Sequence, residues 1–415
     1  MISEDLFNNQ IKNMSNYIMF RIKARQIELT SELKAKNRAP IALSMGAPVE
    51  AVPKFVIDKT KEYLDIDSLH TYSTPKGEKK FLEAVKSRMK KRFGVDLNAE
   101  NEIFSLIGSK EGIANLIRAL VNYKDIEEEK DVILIPSPSY ASYTQMIKAS
   151  GARAYAVDLN EENNFMPDLN EVYEKYLKEG NDPKKIKALI VNYPNNPLGC
   201  TCDFEYLQKC VDFCNKRGIV LISDVAYCEM YFDESYKPHS MLECKGAMEC
   251  CIEVHSFSKT YAMTGWRLGW ACGNSTIIKM LSRMKSTVDT GIFKVLQYAA
   301  ADLLVSEEGD KYIEEQNIKF KNKIQTFVDG LNSLGYEVKM PKAAFYLWLK
   351  IPERFKDCEE FATQMLEKSG IVIVPGTGFD ENSKRHVRVS VVASDDDLKE
   401  VIRRMKEDGF QYSEK

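Results

Sequence analysis

Charge of one sign, long hydrophobic runs and histidine are all in short supply in this 415-residue chain, and each shortage closes off a class of function. The 58 basic and 61 acidic side chains leave a formal net charge of −3, so the electrostatic footprint of a nucleic-acid binder is missing and small molecules are the expected partners. No apolar stretch approaches the length needed to cross a bilayer. The first ten residues are polar and acidic, not a basic segment leading into an apolar one, so no secretory signal is expected there. The four histidines, His70, His239, His255 and His386, are scattered. The ten cysteines are irregularly spaced: Cys200 and Cys202 are one residue apart, Cys210 and Cys214 one helical turn apart, Cys250 and Cys251 adjacent. Zinc sites favour Cys-x-x-Cys or His-rich spacing, so these cysteines are expected to be small buried hydrophobes in a reducing compartment. The expected location is the cytoplasm, with no metal. No Gly-x-Gly-x-x-Gly follows an early strand, which disfavours a dinucleotide-dependent oxidoreductase.

What is present is an ordinary globular composition, 44% hydrophobic and 29% charged, without internal repeats, low-complexity tracts or long linkers. Up to about Lys36 the chain reads as helix, with Tyr17, Phe20, Ile22, Ile27, Leu29 and Leu33 on roughly helical spacing. Residues 41–53 form a loop broken by Gly46, Pro48 and Pro53. From about Asp131, short apolar runs (132–135, 188–191, 219–222, 251–255, 268–272) alternate with helical stretches at 141–149 and 204–217. This alternation predicts an α/β fold with a mainly parallel sheet covered on both faces, and a ligand at the carboxyl ends of its strands. Beyond Ala301 a long charged helix, about 307–334, precedes a smaller α+β unit: strands at 345–351, 371–374 and 387–391, helices at 358–368 and 395–406. The expected division is a large α/β domain over 48–303 and a small α+β domain made by both chain ends, 1–47 and 304–415.

The sharpest chemical feature is Ser256-Phe257-Ser258-Lys259, followed by Gly265-Trp266-Arg267-Leu268-Gly269. It lies between two expected buried strands, which brings Lys259 to the expected cleft. A lysine against an apolar wall with Arg267 nearby has a destabilised ammonium and a nucleophilic amine, as Schiff-base formation with an aldehyde requires. A lone lysine in a polar loop is ordinarily a surface residue; the hydroxyls, glycines and arginine around this one argue otherwise. The segment resembles the Ser-x-Ser-Lys…Gly-x-Arg-x-Gly signature of class I/II aminotransferases, the fold-type I pyridoxal-phosphate enzymes. That resemblance implies a seven-stranded-type sheet, pyridoxal 5′-phosphate as cofactor, Lys259 as the lysine that carries it, and Ser256 and Arg267 on its phosphate.

Other segments in the family's order extend the resemblance over about 43–403. Gly108-Ser109-Lys110-Glu111-Gly112 opens a helix, where free amides make an anion site; the resemblance assigns Ser109 and Lys110 to the phosphate. Tyr140, after Pro136-Ser137-Pro138-Ser139, matches the aromatic that stacks on the pyridine ring. Asn196, in Asn192-Tyr193-Pro194-Asn195-Asn196-Pro197-Leu198-Gly199, matches the donor to the 3′-oxygen. As a bare turn that segment would say nothing. Asp224 ends an expected buried strand, where an acid needs a partner, and matches the carboxylate that keeps the pyridine nitrogen protonated; Tyr227 matches a second 3′-oxygen donor. Arg388 matches the arginine that grips the substrate α-carboxylate. Tyr72, in His70-Thr71-Tyr72-Ser73-Thr74-Pro75, matches a tyrosine that reaches the neighbouring subunit's phosphate, which implies a homodimer with shared active sites. Gly46 resembles the mobile loop lining the substrate pocket.

The expectation is therefore ping-pong transfer of an amino group between an L-amino acid and a 2-oxo acid, with Lys259, Tyr227 and Asp224 as the catalytic residues. Residues 107–112, 254–259 and 286–293 look most like the LL-diaminopimelate, alanine or aspartate aminotransferase subgroup, with glutamate and 2-oxoglutarate as the customary pair. Lys110 could read a distal carboxylate, and no second arginine is assignable to one. A carbon–sulfur lyase shares every cofactor residue named. A pyridoxal-phosphate-binding regulator is the remote alternative, disfavoured by the near-neutral charge.

Overall fold

The structure, a computed structural model, describes residues 2–12, 14, 18–233 and 235–412. Tyr17, placed by its spacing in the first helix, lies outside them. Twelve strands are present among the described residues: β1 Ile41–Ala42, β2 Ile103–Leu106, β3 Val132–Ser137, β4 Arg153–Asp158, β5 Ile186–Val191, β6 Val220–Asp224, β7 Cys251–Ser256, β8 Gly269–Gly273, β9 Tyr346–Lys350, β10 Ile371–Val372, β11 Val374–Pro375 and β12 His386–Ser390. Seven form the main sheet in the order β2-β8-β7-β6-β5-β3-β4. Strands β3 to β7 pair in parallel, while β8 runs antiparallel to both β7 and β2.

Alternation along these strands explains the two-sided burial. On one face Ile133, Ala188, Ile222, Ile252 and Ala271 pack against the helices Ser109–Leu120, Ser142–Ala149 and Ser275–Lys285. On the other, Val132, Leu189, Leu221, Cys251 and Cys272 pack against Lys79–Phe93, Phe204–Arg217 and Lys294–Val305. A strand apolar on both sides reads as a continuous hydrophobic run, which is why β3, β5, β6 and β7 were visible in the sequence. The edge strand β4 carries Arg153 and Asp158 at its ends and is largely half-buried, so it offered no such run. Two helices, Ser275–Lys285 and Lys294–Val305, also precede the long one, Glu307–Ser333.

A second core joins both chain ends. Phe320 and Ile324 of the long helix, Phe345 just before β9, Leu347, Val387 and Val389 of the small sheet, Leu398 and Val401 near the C-terminus, and Ile41 and Leu43 pack together. The small sheet has the order β11-β12-β9, and β1 pairs in parallel with β10. The expected strand over 371–374 is thus two short strands with different partners. The Ile18–Ala35 helix leans on this unit through Leu33, which packs with Leu366 and Val372, while Phe20 and Ile27 are exposed.

Candidate active site

Four of the parallel strands deliver residues to one cavity of about 330 Å³ at their carboxyl ends. Tyr140 and Tyr143 follow β3, Asn192 and Asn196 follow β5, Asp224 closes β6, and Ser256 closes β7 with Lys259 just beyond. Ser109, Lys110 and Arg267 line one end, and Gly46, Tyr227 and Arg388 another. Every singled-out residue except Tyr72 therefore meets in one place. Tyr72 is 84% exposed and outside this chain's cavity.

Lys259 is half-buried, and its Nζ donates to the carbonyl oxygen of Gly46. Burial, then the charges of Arg388 and Arg267, lower its pKa to about 8, against the opposing pull of Asp224. Asp224 sits 6% exposed with its carboxyl pushed upward by burial. It accepts a hydrogen bond from Tyr143 Oη at 2.6 Å, which opposes that rise. Asn192 ties the neighbouring loops together: its Nδ2 donates to the Asp224 carbonyl (2.8 Å) and its Oδ1 accepts the Asn196 amide (2.9 Å).

At the opposite end, Gly108 takes φ +96°, open to glycine, and no side chain caps the Ser109–Leu120 helix. A helix start of this kind presents amides to an anion. Arg267, itself at φ +53°, donates to the carbonyls of Ile107 (3.0 Å) and Thr264 (2.9 Å) and to Ser258 Oγ (3.4 Å). A Cβ on Gly108 would collide with this guanidinium. Toward Gly46 and Tyr227, Arg388 is 4% exposed and donates to Asn196 Oδ1 (2.9 Å) and the Ser44 carbonyl (2.6 Å). The rings of Tyr346 and Phe379 each lie within 5 Å of its guanidinium carbon, at 4.7 and 4.8 Å. Its buried Nε has no hydrogen-bond partner. A buried carboxylate, a helix start joined by an arginine, and an arginine with an idle buried donor fit a phosphorylated cationic ring and a carboxylate-bearing substrate.

Three lining residues were not read from the sequence. Tyr143, which touches Asp224, lies one helical turn after Tyr140, and the need of a buried acid for a donor was the signal available. Tyr346 Oη meets Tyr227 Oη at 2.6 Å, and Phe379 comes from a loop whose sequence carries no motif. The cysteines are free thiols, nine of the ten buried, as expected of small hydrophobes. Glu253, His255 and Cys272 have ligand atoms within 4.8 Å of one another. The Glu253 carboxylate already accepts from Ser240, the Met241 amide and His255.

A family model for aminotransferase class I and II matches residues 38–405. An LL-diaminopimelate aminotransferase of Halothermothrix orenii is 34% identical, with 97% of this chain and 99% of the relative covered. LL-diaminopimelate aminotransferase 2 of a Nostoc strain is 37% identical, with 98% and 100% covered. Among solved structures, substrate-bound BacF from Bacillus subtilis superposes with a TM-score of 0.89 at 30% identity, covering 98% of this chain and 99% of BacF. The aspartate aminotransferase of Thermus thermophilus with maleate gives 0.85 at 25%, covering 97% and 99%. The chain belongs to the class I and II aminotransferases. It is a transaminase that depends on pyridoxal phosphate and acts on amino acids and 2-oxo acids. No helix among the described residues is long and apolar enough to cross a membrane.

Proposed function

We propose that Lys259 is the cofactor-carrying lysine and the proton carrier of a ping-pong transamination. The observation that supports this most is the lowered pKa of a half-buried lysine in the cavity where Asp224, Asn196, Arg267 and Arg388 converge. When bound, the cofactor supplies an aldehyde that captures the amino group and a ring that takes up the electron pair left by the departing α-proton. The protein's part is orientation and proton handling. The Arg388 fork holds the substrate α-carboxylate with paired donors, and Asn196, already bonded to that fork, keeps it aimed. Ser109, Lys110, Ser256 and Arg267 hold the phosphate; Asp224, held by Tyr143, keeps the ring nitrogen protonated; Tyr140 stacks on the ring. Tyr227 and Asn196 donate to the 3′-oxygen. The freed Lys259 amine takes the proton from the α-carbon as a base and returns it as an acid.

For substrates, this reading takes a donor of the LL-diaminopimelate, aspartate or alanine type with glutamate and 2-oxoglutarate as the other pair. LL-diaminopimelate comes first because the relatives above carry that name. The protein acts as a homodimer in the cytoplasm, each Tyr72 reaching the other subunit's phosphate. The exposed Tyr72 lies two residues from His70, whose ring is 5.9 Å from that of the exposed Phe293 and whose Nε2 meets the carbonyl oxygen of the exposed Leu64 at 2.9 Å. A clustered apolar surface of this kind marks an interface. The same reading divides the chain into 48–303 and a unit of 1–47 with 304–415.

Lys259→Ala is expected to abolish turnover and the visible absorbance of bound cofactor; a fully active variant would sink the assignment. A panel of amino donors and oxo-acid acceptors, scored by that absorbance, tests the substrate reading. LL-diaminopimelate should outpace alanine and aspartate with 2-oxoglutarate regenerating the enzyme, and slower turnover of LL-diaminopimelate than of both would overturn it.

A further inference from the structure

Lys285 closes the Ser275–Lys285 helix with an ammonium that solvent does not reach. Burying a lysine is costly unless its charge is used, and the mechanism above does not use it. Its Nζ lies 2.6 Å from Asp289 and 3.3 Å from Glu111. Glu111 is the third residue of the helix whose start forms the phosphate turn. One of its oxygens accepts the Ile107 amide at 3.1 Å, and the other faces Asn115 and Lys285. A carboxylate in that position draws on the same positive field as the bound phosphate and repels it across a poorly screened interior. Asp289 extends the link, because its second oxygen accepts the Gly291 amide at 2.9 Å. Gly291 packs so closely on the Thr74 carbonyl that a Cβ there would collide, and Thr74 belongs to the loop of Tyr72.

We propose that Lys285 is a positioning residue for the cofactor phosphate: it neutralises Glu111 behind the phosphate turn and ties that turn to the 286–293 loop. The proposal rests on the reading of Ser109 and Lys110 as phosphate ligands. It makes a selective demand, since only a ligand that carries the phosphate should sense the uncompensated Glu111.

The test titrates cofactor-free protein with pyridoxal phosphate and, separately, with phosphate-free pyridoxal, following absorbance. Lys285→Met should weaken pyridoxal phosphate about tenfold, the order expected for one partly screened charge, and leave pyridoxal unchanged. Glu111→Gln should bind pyridoxal phosphate at least as tightly as the parent, and adding it to Lys285→Met should recover most of the loss. Equal losses for both ligands, or no loss for either, overturn the proposal, because a general structural role would not distinguish them. If circular dichroism finds Lys285→Met unfolded, Glu111→Gln decides alone: weaker phosphate binding in that variant overturns it. A parent protein that binds pyridoxal and pyridoxal phosphate equally would remove the phosphate reading of the turn instead.

Discussion

Lys259 is governed by its neighbours more than by its own type. Burial beside two arginines brings its pKa to about 8, so the amine is mostly protonated at neutral pH and mostly free above pH 8. The neutral amine is the nucleophile. Capture of pyridoxal phosphate by cofactor-free protein should therefore accelerate as pH rises through about 8 and level off beyond it, a profile that stopped-flow absorbance will read. A midpoint near the ordinary lysine value of about 10.4 would contradict the assigned environment. Arg388 gives a second prediction at this scale. Arg388→Leu removes a charge-assisted pair of donors, interactions of roughly 1.5–3 kcal/mol each. The KM for the amino donor should rise by about a hundred- to ten-thousandfold, on the basis that each 1.4 kcal/mol is tenfold, while cofactor absorbance persists. The residues legible in the sequence were those whose type alone is anomalous where it sits: an acid ending a buried strand, a lysine between two strands, a glycine opening a helix. Tyr143, Tyr346 and Lys285 escaped because their significance lies in a partner distant in sequence: Asp224, Tyr227 and Glu111.

At the scale of elements, burial on both sides made a strand readable and burial on one side hid it. The run 188–191 is apolar throughout and was found; β4, at the sheet edge with charged ends, was not. The Phe204–Arg217 helix was placed to the residue because the punctuation is local: Asp203 caps its first turn and Gly218, at φ +62°, ends it. The division of 371–374 between two partners could not be read, since register depends on contacts with distant segments. The long Glu307–Ser333 helix carries a prediction here. Phe320 is fully buried and its ring stacks 5.6 Å from that of Phe345, the residue that leads into β9 of the small sheet. Phe320→Ala should cost about 3–5 kcal/mol, measured by chemical denaturation of the cofactor-free protein. A loss below about 1 kcal/mol, the scale of a surface change, would mean the helix is not fastened to the small sheet there.

For the whole molecule, the proposed sharing of active sites makes a prediction that a self-sufficient chain does not. Subunits carrying Lys259→Ala and subunits carrying Tyr72→Phe should each form impaired dimers. Mixed dimers should regain one intact site, with Lys259 from the second kind and Tyr72 from the first. Refolding the two variants together and assaying turnover tests this, and activity no greater than the average of the separate variants would exclude a crossing Tyr72. The pairing of β1 with β10 has a consequence of another kind, for synthesis rather than catalysis. Ile41 waits for Ile371, which leaves the ribosome 330 residues later. At about 5–20 residues per second, the early segment spends roughly 15–65 s without its strand partner. Throughout that interval Ile41 and Leu43, later buried, are open to chaperones and to other nascent chains. A ribosome slowed anywhere between those codons prolongs the exposure, so translation speed is expected to influence how much active enzyme a cell obtains from a given amount of message.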